Sequence, residues 1–112
     1  EQSRDFVYVG NVVNANLLAA TVPGVSGRVY NVASGQSITV LDLLHAICGE
    51  LNKPFAPEFL APRAGDVLHS WAEISALKTD LGYKTEWTFA EGLKETLQFY
   101  VSASHKTESF SV

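Results

Sequence analysis

Residues 28–51 read RVYNVASGQSITVLDLLHAICGEL, and the change of rhythm inside this stretch decides the fold class. Arg28 to Ala33 alternates and carries β-branched or aromatic side chains at Val29, Tyr30 and Val32, so it reads as a strand that Ser34-Gly35 closes. Ser37-Ile38-Thr39 is a second short extended piece. The period then lengthens. Val40, Leu43, Leu44, Ile47, Cys48 and Leu51 recur every three to four positions and form one apolar helix face. Thr39 with Asp42 three residues on resembles a capping box, in which a side-chain oxygen satisfies a free N–H of the first turn. Asn52-Lys53-Pro54 ends the helix.

The same alternation continues on both sides. Upstream, Phe6-Val7-Tyr8-Val9 is a short β-prone run stopped by Gly10. Asn11 is a reasonable N-cap for a helix carried by Val12, Val13, Asn16, Leu17 and Ala20 and closed by Pro23-Gly24. Downstream, Pro54, Pro57 and Pro62 punctuate an extended stretch holding Phe55, Phe59 and Leu60, and Val67 to Trp71 reads as one more strand. Glu73 to Leu81 is predicted as a short helix with Gly82 at its C′ position. The last helix starts at a capping box, Thr88 with Glu91, and continues with Phe89, Leu93, Thr96, Leu97, Tyr100 and Val101 on one face.

Interleaved helices and strands give an α/β (mixed) fold, with a small mixed sheet and about four helices. Trp71, Trp87, Phe89 and Phe99 are expected in the core. Four helices are many for so few strand residues, and their apolar faces call for a covering partner domain. Residues 1–101 are expected to form one domain, and the polar end, 102–112, to be a frayed tail containing His105, Lys106 and Glu108.

Composition narrows the function. The 112 residues fit a single domain, and 46% of them are apolar, enough for a modest core. A net charge of -4 argues against nucleic-acid binding. No apolar run is long enough to span a membrane, and Glu1-Gln2-Ser3-Arg4-Asp5 lacks the start of a signal peptide. A cytoplasmic, soluble protein is expected. The single cysteine, Cys48, excludes an internal disulfide framework and Cys-cluster zinc sites, and its place in a helical pattern makes it a packing thiol. His45, His69 and His105 have no metal-like spacing; His45 is expected to be structural or solvent-facing. The chain has no methionine and starts at Glu1, so a processed chain or a piece of a longer one is expected.

No Gly-x-Gly-x-x-Gly or Walker A pattern occurs, and no tyrosine has a lysine four residues later. A catalytic, cofactor or metal site within this chain is therefore not expected. The three arginines, Arg4, Arg28 and Arg63, say more. Arg63 lies in Ala61-Pro62-Arg63-Ala64-Gly65-Asp66-Val67, where a loop stiffened by proline could present its planar fork to a phosphate, and Asp66 could accept from ribose hydroxyls. From spacing alone, the same segment reads more simply as a surface turn with a salt bridge.

Several motifs in order carry a resemblance. Arg4-Asp5-Phe6-Val7-Tyr8-Val9 is followed by Tyr30-Asn31-Val32-Ala33-Ser34-Gly35 and then by Pro62-Arg63-Ala64-Gly65-Asp66-Val67 with His69-Ser70 and Ala72; Leu81-Gly82-Tyr83 and Ala90-Glu91-Gly92-Leu93 come last. Over residues 2 to about 101, this resembles the C-terminal part of an extended short-chain dehydrogenase/reductase, of the NAD-dependent sugar-nucleotide epimerase and dehydratase family. It is most similar to UDP-hexose 4-epimerases, particularly those acting on N-acetylated sugars such as UDP-N-acetylglucosamine; Asn11 with Val13, the Ala15-to-Ala20 run and His69-Ser70 carry that finer likeness.

The resemblance implies a division of labour. An N-terminal Rossmann domain would bind NAD and hold the catalytic Tyr-Lys pair, and the part seen here would grip a UDP-sugar. Arg4 and Arg63 match the family's two diphosphate-contacting arginines, Asp66 the acid that holds the ribose, and Ser70 and His69 the positions that approach the hexose. The strand at Arg28 to Ala33 resembles one that joins the edge of the Rossmann sheet. Alone, the chain would bind UDP-sugar weakly and be inactive. It could instead be a free-standing non-catalytic domain forming a homo-oligomer through the surface the Rossmann domain would cover, or a part of a sister dehydratase or decarboxylase. One departure stands out: the family usually has an acid where this chain has Gly10.

Overall fold

Strands β1 (Ser3–Arg4) and β2 (Ile38–Thr39) and helices α1 (Val9–Thr21), α2 (Val40–Leu51), α3 (Ser75–Leu81) and α4 (Phe89–Phe110) make up the computed structural model. It describes the backbone of residues 2–110 and the side chains of residues 2–103. The mixed α/β class and the four helices agree with expectation. The sheet is smaller than expected but is mixed: β1 pairs antiparallel with β2, in the register Ser3 with Thr39 and Arg4 with Ile38, and Ser3 also bridges parallel to His69.

Local end signals decide the helices. At α2, the Thr39 hydroxyl accepts the Asp42 N–H at 3.0 Å, and the helix stops at Asn52, which takes a left-handed backbone (φ +54°). At α4, both halves of the capping box form: Thr88 Oγ1 accepts from Glu91 N, and Glu91 Oε1 accepts from Thr88 N, each at 3.2 Å. Helix α3 begins at Ser75, two residues later than expected, because the Glu73 carboxylate caps the Ser75 N–H at 2.6 Å. It ends at Gly82, whose φ of +67° suits glycine. The boundary expected after residue 101 falls inside α4, and the end of the expected tail lies outside the described residues.

Strands were harder to read. Residues 6–8 are not a strand, and α1 begins at Val9 with Tyr8 at its N-cap. Aromatic packing replaces ladder pairing here: Phe6 lies 6.4 Å from Phe89, and Tyr8 4.9 Å from Trp87, between ring centres. Asn11 is no N-cap; it sits inside α1, buried. Residues 28–33 form no ladder with another strand among the described residues, although Tyr30, Val32 and Ala33 do pack inward. Of the strand expected at Val67 to Trp71, only the bridge at His69 forms.

The core lies between α1, α3 and the 28–33 segment, where Ala15, Ala33, Ile74, Leu77, Leu81 and Tyr83 are buried. Helix α2 has no buried residue and packs on α4. Trp71 (71% exposed) and Phe99 (68%) are not core residues, contrary to expectation, while Trp87 and Phe89 are half-buried. Apolar side chains also face outward along α1, at Val9, Val13 and Leu17. The chain exposes 8358 Å², against about 6,100 Å² for a compact monomer of its mass. Its radius of gyration is 17.4 Å, against about 13 Å for a compact domain of this length. Among the described residues, no helix is long and apolar enough to cross a membrane.

Candidate functional site

Ser3, buried at the centre of the small sheet, organises the first part of the site. Its N–H donates to Leu68 O at 2.9 Å, its carbonyl accepts from Ser70 N at 3.1 Å, and its hydroxyl shares a 2.6 Å hydrogen bond with His69 Nδ1. The neighbouring Arg4 adds a clamp: Nη1 donates to Ser3 O (2.7 Å) and Leu68 O (3.2 Å), and Nη2 to Val67 O (2.6 Å). Residues 67–70 are all exposed, and these bonds to β1 are what place them.

The second part is the turn just before them. Asp66 N donates to Arg63 O at 3.3 Å, and Gly65 at its corner has φ +87°, a conformation side chains disfavour. The turn closes through the backbone, and Arg63 and Asp66 form no ion pair; the salt bridge among the described residues joins Arg28 to Asp80 at 3.1 Å.

Arg63 and Asp66 both line an open cleft of about 830 Å³. Its floor is Val40, Leu41 and Leu44 at the start of α2, with Leu68 beside them, and its outer wall runs from Pro57 to Pro62. The arrangement is an apolar floor edged by one guanidinium, Arg63, and two carboxylates, Glu58 and Asp66; Arg63 and Asp66 have no side-chain hydrogen-bond partner among the described residues. A guanidinium so placed can fork onto a phosphate, and a carboxylate can accept from hydroxyls. Arg4, His69 and Ser70 do not line this cleft; they belong to the adjoining ladder with β1. No group of His, Cys, Asp and Glu that could hold a metal occurs among the described residues.

One polar contact near the site was not foreseen. Asp5 does not pair with its neighbour Arg4; it accepts from Ser34 N (2.9 Å), Ser34 Oγ (2.6 Å) and Gly35 N (2.9 Å), fixing the turn that leads into β2. The paired turn residues Ser34-Gly35 were the sequence signal for it. The cleft floor was likewise read only as the apolar face of a helix.

No family model matches the chain. Among curated proteins, it is 33% identical over 102 residues to a UDP-glucose 4-epimerase of Mycolicibacterium smegmatis, covering 91% of this chain and 32% of that protein. Among solved structures, it superposes on a UDP-N-acetylglucosamine 4-epimerase of Methanobrevibacter ruminantium in complex with UDP-N-acetylmuramic acid, with a TM-score of 0.82 and 38% identity over 92% of this chain. It superposes equally well on the Thermotoga maritima UDP-glucose 4-epimerase with UDP-glucose, with a TM-score of 0.83 and 33% identity over 92% of this chain. In both cases 33% of the other chain is covered, so this chain spans about a third of the length of the proteins it matches.

Proposed function

We propose that this chain, which aligns over about nine-tenths of its length with a third of sugar-nucleotide 4-epimerases, is the sugar-nucleotide-binding C-terminal part of an NAD-dependent UDP-sugar 4-epimerase of the extended short-chain dehydrogenase/reductase family. The observation that carries the reading is the rim of the cleft, where Arg63 and Asp66 stand without partners over an apolar floor. In this reading the Arg63 fork neutralises the diphosphate, Asp66 accepts from the ribose hydroxyls, and the apolar floor takes the base. His69 and Ser70 border the hexose, with His69 oriented through its bond to Ser3. Arg4 contributes by holding residues 67 and 68 in place, since its guanidinium is already spent on backbone carbonyls. NAD and the proton and hydride chemistry belong to residues outside this chain.

The test is a titration of the isotope-labelled chain with UDP-glucose, followed by backbone NMR. Shifts at Arg63 and Asp66 at millimolar ligand support the reading, and their absence defeats it. Arg63→Ala should weaken binding by about 2 kcal/mol, roughly 30-fold, the loss expected for a charged hydrogen-bonding partner.

The exposed surface favours a second reading for the isolated chain. An excess of some 2,000 Å² over a compact monomer, with Val9, Val13 and Leu17 in a row along α1, is more than twice the roughly 800 Å² that one partner gives to a standard protein interface. Where no partner domain covers it, a second copy of the chain would, giving a non-catalytic homo-oligomer. Light scattering that finds a monomer at high micromolar concentration would sink this version.

A further inference from the structure

Between α2 and the Arg63 turn, residues 53–62 form no helix or strand, and all but Pro57 are exposed. Yet this strap builds the outer wall of the cleft. Two side chains of α2 fasten it. The His45 ring stacks on Phe55, with centroids 3.9 Å apart and planes 14° from parallel. One turn later, Cys48 Sγ donates to Pro54 O at 3.6 Å. The same helix carries Leu41 and Leu44 in the cleft floor. Pro54, Pro57 and Pro62 restrict the strap's backbone, so it behaves as a stiff piece whose position depends on where it is pinned.

We propose that His45 is a positioning residue: its stack on Phe55 holds the 53–62 wall against α2 and thereby sets the width of the cleft and the placement of Arg63. The proposal rests on the reading of that cleft as a UDP-sugar site, which it deepens. Its physical basis is independent of that reading, because laying the two ring faces together removes apolar surface from water whatever the cleft binds.

The chain supplies its own reporter. Cys48 is its single cysteine and lies half-buried at the second fastening point, so the rate of its reaction with 5,5′-dithiobis(2-nitrobenzoate) reads how far the strap shields the thiol. That rate and the affinity for UDP are measured for the unmodified chain, His45→Ala and His45→Phe. Loss of an aromatic pair of this kind corresponds to about 3- to 10-fold. His45→Ala should therefore speed labelling and weaken UDP binding by about that factor, while His45→Phe, which keeps a ring on Phe55, should stay near the unmodified chain in both. An unchanged labelling rate in His45→Ala overturns the proposal, and so does faster labelling with unchanged UDP affinity. Should the unmodified chain itself fail to bind UDP, the sugar-nucleotide reading falls, and the labelling rates alone then decide whether His45 holds the strap.

Discussion

The Asn11 side chain grips the backbone of Trp87 from both sides: Nδ2 donates to Trp87 O at 3.0 Å, and Oδ1 accepts from Trp87 N at 3.0 Å and from Glu86 N at 3.2 Å. The amide thus stands in for a strand partner, tying α1 to the segment that leads into α4. Asn11 is 2% exposed, so no water replaces those bonds if they are lost. Asn11→Ala leaves two N–H groups and a carbonyl unpaired and should cost about 3 kcal/mol, at roughly 1 kcal/mol or more for each stranded group. At acidic pH, where its carboxyl is protonated, Asn11→Asp keeps both acceptor bonds and can donate from its hydroxyl to Trp87 O, so it should cost less there. Urea unfolding of the two variants at that pH checks the order; equal losses would mean that side-chain volume matters more than the bonds.

The second prediction concerns glycines. Tyr8 is wedged between two of them: a Cβ on Gly92 would lie 2.6 Å from Tyr8 Cβ, and one on Gly10 would lie 2.7 Å from the Tyr8 ring and 2.9 Å from Trp87 Nε1. The Tyr8–Trp87 pair occupies the space that a side chain at position 10 would need. Gly49, in α2, has nothing within 4 Å of its would-be Cβ. Glycine to alanine inside a helix ordinarily gains up to about 1 kcal/mol, and forcing a methyl into a filled site costs about 1–3 kcal/mol. Gly49→Ala should therefore stabilise the chain and Gly92→Ala destabilise it. Thermal unfolding of both reads the sign directly, and a stabilising Gly92→Ala would show that Tyr8 yields easily.

Arg4 gives the third. Its guanidinium holds three carbonyls, two of them in residues 67 and 68. Arg4→Lys keeps the charge and loses the fork, so it can satisfy fewer of them. Because the contacts to 67 and 68 are exposed, global stability should fall by no more than about 1 kcal/mol. The local effect should be larger. Amide exchange at Ser3 and Ser70, whose N–H groups form the ladder beside the clamp, should quicken, while exchange along α2 stays unchanged. Uniform quickening would assign Arg4 a general role in stability.

What the sequence revealed and what it hid follow one physical division. Thr39, Thr88 with Glu91, and Gly82 act within a few residues of themselves, so their spacing was enough to place the starts of α2 and α4 and the end of α3. Phe6 and Tyr8 have the residue types of a strand, but Phe89 and Trp87, some eighty positions away, decide what they do. Asn11 has capping chemistry, and tertiary structure uses the same amide elsewhere. Trp71 and Phe99 show that apolar character says a surface wants covering, not that this chain covers it. That Arg63 and Asp66 stand together was legible because one short turn holds both. The stack of His45 on Phe55 was not, since it depends on where a proline-stiffened strap falls.

The last prediction uses the cap of α4. Glu91 accepts a hydrogen bond from the backbone N–H of Thr88, and this bond, with the Thr88 side chain next in weight, pulls its carboxyl pKa below the ordinary 4.5. The charged form is the one that the folded chain favours. A carboxyl whose folded value lies below its unfolded value stabilises the fold fully above the unfolded value, and that contribution disappears as the pH falls through the folded one. The cap should therefore be intact at neutral pH and fail only in acid, below the range where an ordinary glutamate titrates. In an NMR titration, the Glu91 carboxyl carbon should show a midpoint below 4.5, and the Thr88 amide should move with the same midpoint. Glu91→Gln retains an acceptor that does not titrate, so the acid step at Thr88 should vanish while the helix start survives. A Glu91 midpoint at or above the ordinary value would mean that the carboxylate does not cap Thr88 in solution.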